Sequence, residues 1–287
     1  MIKTAVVTDT NSGITKAEAQ DHSIQLISMP FIIDEKQYFE NVNLTHEQFY
    51  TMLDQGAAVS TSQPSPGEVT DCWEKLLKNF ESIVYIPMSS GLSSSCHTSM
   101  MLAEDYDGKV QVVDNHRISV TMKQSVYDAV RLAQEGKHAV EIKKILEEQA
   151  FDASIYITVD TLSYLKKGGR VTAAGAAIGS VLNIKPVLTI QGDKLDAFEK
   201  VRGMKAARRS MIRAMQNDLQ TRLKPLKDRE ELQMFISYSF VDEETLKDWK
   251  EEVEEAFPEM DILADPLTLS VGCHIGPGAL AIAVCRK

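Results

Sequence analysis

IVYIPMSSGLSSSC, residues 83–96, carries an apolar run, Ile83 to Ile86, directly into five serines packed around Gly91. Isoleucine, valine and tyrosine favour a pleated, buried backbone, so the run reads as a strand. The serines read as the loop after it, opening a helix near residue 93. Hydroxyls crowded at the carboxyl end of a strand suit a nucleophile elbow, a phosphate cradle, a carboxylate clamp or only a polar helix start.

The same strand, loop and helix rhythm extends outward on both sides. Strands are predicted at 3–8, 24–33, 82–87 and 110–114, and helices at 45–54, 66–78, 93–105, 118–135 and 138–149. Thr45 and Ser65 open the first two helices, with Pro66 at a first helical position where its missing N–H costs nothing. Alternating units of this kind build a largely parallel sheet. From residue 154 the rhythm changes. A strand in SIYITVD precedes the glycine turn LKKGGR and a small-residue helix, AAGAAIGSVL; the strands KPVLTI and KLDAFEKV then form a hairpin across QGD. A basic helix at 203–223, a strand at 232–239, an acidic helix at 242–256 and strands near 260–265 and 279–286 complete the chain. The expected class is α/β with two domains: a doubly wound, largely parallel sheet over 1–153 and an α+β domain with a mixed sheet over 154–287. Segments are free to cross that boundary.

A chain of 287 residues with a net charge of -10 is large enough for two cores and has no general attraction to nucleic acid or anionic membrane. MIKTAVVTDTNSG turns polar after a short apolar run, so it is expected to be a first strand rather than a secretory signal. VTAAGAAIGSVLNIKPVLTI is interrupted by Asn183, Lys185 and Pro186, and no transmembrane segment is expected. Cys72, Cys96, Cys273 and Cys285 lack C-x-x-C spacing, and the histidines lack H-E-x-x-H. Neither a metal nor a disulfide framework is expected, and dispersed thiols suit a reducing cytoplasm.

Three polar loops, TDTNSG, STSQPSPG and SSGLSSSC, follow strands or precede helices, where ligands of open α/β sheets collect. Each loop taken singly is explained by helix capping; together they suggest a shared site, with Ser93 placed for an anion. GLSSS has Ser95 where the nucleophile elbow requires glycine, yet Ser93, His274 and Asp9 are the raw material of a triad, so a serine acyl hydrolase stands as the alternative. GPGALA, residues 276–281, matches a dinucleotide fingerprint in the wrong context and reads as a tight turn before the last strand, with His274 at its start. YLKKGGR is a helix stop that leaves Arg170 unexplained, and a phosphate-binding domain built on it and the serine loops is a third reading. The small residues of AAGAAIGSVL leave room for a packed neighbour or a slender apolar ligand.

Taken in order, TDTNSG, TSQPSPGE, SSGLSSS, YLKKGGR, LNIKPVLTI, KVRG and HIGPGALAI resemble the signature string of the DegV family of bacterial fatty-acid-binding proteins. The resemblance implies two α/β domains with a long-chain fatty acid buried in a tunnel, no cofactor, and no catalysis by the chain itself. It implies presentation of the carboxylate to a dihydroxyacetone-kinase-like fatty acid kinase. By position, Thr61 or Ser62, together with Ser93 and His274, matches the family's carboxylate-binding residues, and Arg170 matches its nearby arginine. Ser94 and Ser95 replace the more usual glycine and threonine, and Ala281 stands where glycine is common. A carboxylate taken out of water needs several donors to replace its hydration, and this favours the clamp among the four roles.

EKVRGMKAARRSMIRAM concentrates positive charge in an acidic chain. Lys205, Arg208, Arg209 and Arg213 recur at spacings of three and four, along one helix face, with Met204, Ala207, Met211 and Ile212 on the other. With Arg202 they form either a solvated face balanced by the acidic helix or a docking patch for the kinase.

Overall fold

The structure, a computed structural model, describes residues 3–177 and 184–287. Its first seven strands are β1 (Thr4–Asp9), β2 (Ile24–Ile27), β3 (Phe31–Ile33), β4 (Lys36–Tyr38), β5 (Val59–Thr61), β6 (Ser82–Ile86) and β7 (Val110–Val112). Four of them form an entirely parallel sheet in the order β2-β1-β6-β7. Strand alternation sorts its side chains. Val6, Val84 and Ile86 pack beneath helices Ser119–Gln134 and Ala139–Glu148, whereas Ala5, Val7, Ile83 and Tyr85 pack beneath helices Pro66–Leu76 and Ser95–Ala103. Helices cover both faces, as the doubly wound expectation requires.

The predicted strand 24–33 is two strands in two sheets. Pro30 has no N–H to give a ladder, and the chain breaks at Ser28–Pro30 before β3 joins a separate antiparallel sheet in the order β4-β3-β5. Register in that small sheet sets Thr61 opposite Phe31.

Six further strands are β8 (Ala153–Thr158), β9 (Ile184–Ile190), β10 (Asp196–Arg202), β11 (Leu232–Tyr238), β12 (Ile262–Pro266) and β13 (Leu280–Arg286). They form one mixed sheet in the order β10-β9-β8-β13-β11-β12, antiparallel except between β11 and β12. One face, carrying Tyr156, Ile236, Ile282 and Val284, is covered by helices Met204–Gln220 and Glu243–Ala256 through Met211 and Trp249. The opposite face, with Ile155, Ile157, Ala281 and Ala283, turns toward the first sheet.

Helix Ser119–Gln134 lies between the two large sheets. Met122, Val126 and Ala129 pack on the first sheet while Val120 packs with Phe235 and Ala283 of the second. Lys123 on the same helix reaches Glu18 at 2.7 Å and Asp265 at 3.0 Å, pairing carboxylates from both halves of the chain. A second crossing comes from helix Leu269–Ile275, whose Leu269 and Cys273 pack with Phe31 and Phe49 of the first half. This helix, which was not expected, ends just before the expected turn at 276–279 and holds His274 in its last turn. Gly272 inside it is required by packing, since a Cβ there would lie 2.8 Å from the Tyr50 hydroxyl.

The small-residue helix is seen over Ala173–Ala176; the remainder of the predicted segment, from residue 178, lies outside the described residues. Gly175 is small because a Cβ would crowd Val171 and approach the backbone of Leu195 and Ala197. A strand fills the space at this position.

Candidate functional site

Between the large sheets lies a cavity of ≈ 320 Å³. Its floor is laid across the second sheet: register aligns Leu188, Ile157, Ala281 and Ser237 in one row and Ile190, Ile155 and Ala283 in the next, and all but Leu188 line the cavity. Alanine on the central strand β13, between the isoleucines of β8 and the residues of β11, is what leaves the space open. Leu92, Ile118, Leu165, Leu195 and Val271 complete the apolar wall.

A group of polar side chains that includes the cavity's one lining cation interrupts this lining among the described residues. Thr61 ends β5, Ser93 precedes helix Ser95–Ala103, Arg170 follows the stop of helix Ser163–Gly168, and His274 occupies the last turn of helix Leu269–Ile275. These residues come from four separate segments. Thr61 Oγ1 and His274 Nε2 are 2.9 Å apart. His274 Nδ1 is buried without a partner among the described residues, and its ring lies so close to Gly168 that a Cβ there would sit 2.0 Å from Nδ1. Burial, and then the neighbouring Arg170 charge, holds the imidazole down to about 4, so it is neutral at physiological pH.

Arg170 reaches the cavity because of the glycine pair. Gly169 adopts φ 69, and Arg170 N–H bonds back to the Leu165 carbonyl at 3.2 Å, a helix stop that turns the next residue inward. Arg170 Nε donates to Leu92 O at 3.2 Å and Nη1 donates to Gly168 O; among the described residues no carboxylate pairs with it. Lys166 and Lys167 stay exposed at the helix C-terminus, apart from the cavity lining.

Ser93 both caps and lines. Its hydroxyl donates to Ser95 Oγ at 2.9 Å and accepts from Ser95 N–H at 3.2 Å, and the residue lines the cavity wall. Ser62 also lines the cavity, and its hydroxyl donates to Gln63 O at 3.2 Å. The three polar loops therefore meet at one cavity, contributing Asn11, then Thr61 and Ser62, then Ser93.

The triad arrangement is not formed. Ser93 is bonded to Ser95 and His274 to Thr61, while the fully buried Asp9 accepts from the N–H groups of Asn11 at 2.8 Å and Met88 at 3.0 Å. Burial pushes the Asp9 carboxyl up to about 6, and its work is to hold together the loops after β1 and β6. Cys273 points away from His274 into the cluster of Phe31 and Phe49, and burial pushes its thiol up to about 12. Among the described residues no three His, Cys, Asp or Glu side chains gather as a metal site.

Sequence reasoning missed several lining residues. Ser270 lies one helical turn before His274, a spacing that becomes visible only once the helix is recognised. Asn11, Ser119 and Ser237 also line the cavity, and no sequence signal pointed to the last two.

The helical part of the basic segment lies on the sheet face opposite the cavity, where Ala207 and Met211 are buried. Arg208 is paired with Glu252 of the acidic helix at 3.2 Å and is largely buried, and Arg213 is paired with Glu199 at 2.8 Å. Arg202, Lys205 and Arg209 are exposed. Arg208 thus serves the helix packing, which leaves those three, beside the exposed but paired Arg213, as surface cations of the expected patch.

A family model described as an uncharacterised protein of the DegV family matches residues 3–287. A DegV domain-containing protein of Clostridium perfringens is 31% identical over 292 residues, covering 98% of this chain and 97% of its own length. Among solved structures, a fatty-acid-binding DegV family protein from Thermus thermophilus superposes with a TM-score of 0.89 at 25% identity, covering 99% of this chain and 100% of its own. DegV of Bacillus subtilis, described as a fatty acid binding protein, superposes with a TM-score of 0.86 at 28% identity over 100% of both chains.

Proposed function

The chain belongs to the DegV family, and from that premise we propose that it binds a long-chain fatty acid in the cavity between its sheets and presents the carboxylate to a dihydroxyacetone-kinase-like fatty acid kinase. The observation that carries this reading is Arg170, a cation without a carboxylate partner among the described residues, beside Thr61, Ser93 and a neutral His274 at one part of a cavity lined largely by apolar side chains. An anionic head supplies the missing partner, and an acyl chain supplies the missing apolar neighbour.

In this reading Thr61, Ser93 and His274 hold the carboxylate, Arg170 balances its charge, and Ser62 stands at the edge. The two domains, 1–153 and 154–287, close on the ligand with helices Ser119–Gln134 and Leu269–Ile275 running between them. The chain supplies no nucleophile and no cofactor; acyl-phosphate formation belongs to the kinase, which meets Arg202, Lys205 and Arg209. The cytoplasm is the proposed compartment, supported by four cysteines that are all unbridged. No described helix is long and apolar enough to cross a membrane.

Incubation with an acyl ester and with a serine-reactive phosphonate tests the binding role against the hydrolase. Neither turnover nor labelling at Ser93 is expected. Ester hydrolysis that disappears in Ser93→Ala would overturn the proposal.

A further inference from the structure

Two serines sit in the apolar part of the cavity where an unsubstituted acyl chain has no use for them. Ser237 belongs to the floor row of the second sheet, in register with Ala281 of β13 and Asp265 of β12. Ser119 is the first residue of helix Ser119–Gln134 and approaches from above. Both line the cavity, with 3% and 9% of their surfaces exposed.

Their hydrogen-bonding capacity is not used up. Ser237 Oγ donates to Asp265 O at 3.1 Å, which leaves its lone pairs open. Among the described residues the Ser119 hydroxyl has one hydrogen-bond partner, Ser237 Oγ at 3.5 Å, the outer limit of a hydrogen bond. Burying a hydroxyl with so weak a partner is unfavourable, and native interiors avoid it unless the group serves a purpose. Asn11, fully buried in the same wall, accepts from Ser270 through Oδ1 but has no partner for Nδ2 among the described residues.

The backbone adds an independent sign. Ser119 has φ 55, a conformation that side-chain-bearing residues adopt at a cost, and Ile118 before it gives the helix no side-chain cap. Strain of this kind persists where the surroundings enforce it, and it collects at ligand sites. Here it accompanies the placing of a hydroxyl beside Ser237.

We propose that Ser119 and Ser237 form a second polar station in the cavity, which receives a hydroxyl group carried by the acyl chain, so that hydroxylated fatty acids are preferred ligands. The guest oxygen accepts a hydrogen bond from the Ser119 hydroxyl and the guest O–H donates one to Ser237 Oγ, which completes both side chains. Isoleucine and alanine around the pair exclude water and make the match selective. This inference rests on the fatty-acid reading of the cavity.

The test uses the full chain stripped of lipid, with stearic acid and a series of monohydroxystearic acids whose hydroxyl is stepped along the chain. One isomer is expected to bind about 3- to 10-fold more tightly than stearic acid, the worth of one or two buried neutral hydrogen bonds. In Ser119→Ala the ratio of the two affinities should fall to about one. Ser119→Gly, which suits the positive φ and removes the same hydroxyl, should give the same ratio should the alanine variant not fold. The inference is overturned when no isomer exceeds stearic acid, as expected of a station filled by water alone, or when the preference survives both substitutions. Stearic acid bound without a hydroxyl preference contradicts this inference alone; a chain that binds no fatty acid contradicts the proposed function as well.

Discussion

The polar end of the cavity and its apolar floor are built in opposite ways. Thr61, Ser93, Arg170 and His274 come from four segments far apart in the chain, each set by a strand end, a helix start or a helix stop. The floor is one sheet face, fixed by strand register alone. The polar end therefore depends on several loops holding position together, whereas the floor depends on side-chain size at a few alternating positions. Head-group recognition and chain capacity should respond separately to mutation.

The largest effect is expected on the floor. Ala281→Phe places a ring over the central strand, and each methylene it expels forfeits about 0.8 kcal/mol. Losing three or four of them lowers affinity for a long-chain acid by about two orders of magnitude. Isothermal titration across a chain-length series should show short acids retained and long acids lost. Equal loss at every length would mean that floor and head are not separable.

At the polar end, Ser93→Ala and His274→Ala should each weaken fatty-acid binding by about 1 to 3 kcal/mol, the range for a hydrogen bond to a charged group. Unlike the floor variant, they should act equally on short and long chains. Wild-type affinity in both, with the fold intact by circular dichroism, would move the carboxylate elsewhere.

Stability against pH separates two buried groups of the site. His274 is neutral in the folded protein down to about 4, while the unfolded chain takes its proton near 6.5, so its contribution is present above 6.5 and lost as pH falls through that window. Asp9 has the opposite sign: its folded value of about 6 exceeds the unfolded 3.8, so its contribution is present below 3.8 and lost as pH rises through 6. Urea midpoints of wild type and His274→Ala, compared between about pH 7 and about pH 5, should show a smaller acid loss in the variant. An identical loss would remove His274 from the buried, neutral role.

The smallest effect on lipid binding is expected from Arg202→Glu with Arg209→Glu, neither of which lines the cavity. Fatty-acid titrations should match wild type. Acyl-phosphate formation with the kinase should fall, and the deficit should shrink at high salt, where steering by exposed charge is screened. Arg208 is left intact because its pair with Glu252 belongs to the packing of two helices. Full kinase-coupled activity would assign these cations to an ordinary solvated face.

Much of this division was legible in the sequence. Capping residues announced helices at Thr45 and Ser65, and both capping boxes are formed. Short apolar runs marked β1 and β6, a strand-like pattern marked β13, and the glycine pair before Arg170 marked the helix stop that aims it. Short elements were not legible. Helix Leu269–Ile275 has seven residues with Gly272 at its middle, so neither period nor composition announces it; its glycine answers to Tyr50, more than two hundred positions away. The side sheet of β3, β4 and β5 was hidden because each strand has three residues and the partners are set by tertiary packing. Ser119 and Ser237 were invisible for the same reason, since their meeting depends on how a helix crosses a sheet.

Native mass spectrometry of the purified full chain, followed by extraction and identification of the bound lipid, tests the central claim most directly. The expected result is one fatty acid per chain, released as the free acid on denaturation. Carefully handled protein that carries only phospholipid, a nucleotide, phosphate or no ligand would contradict it.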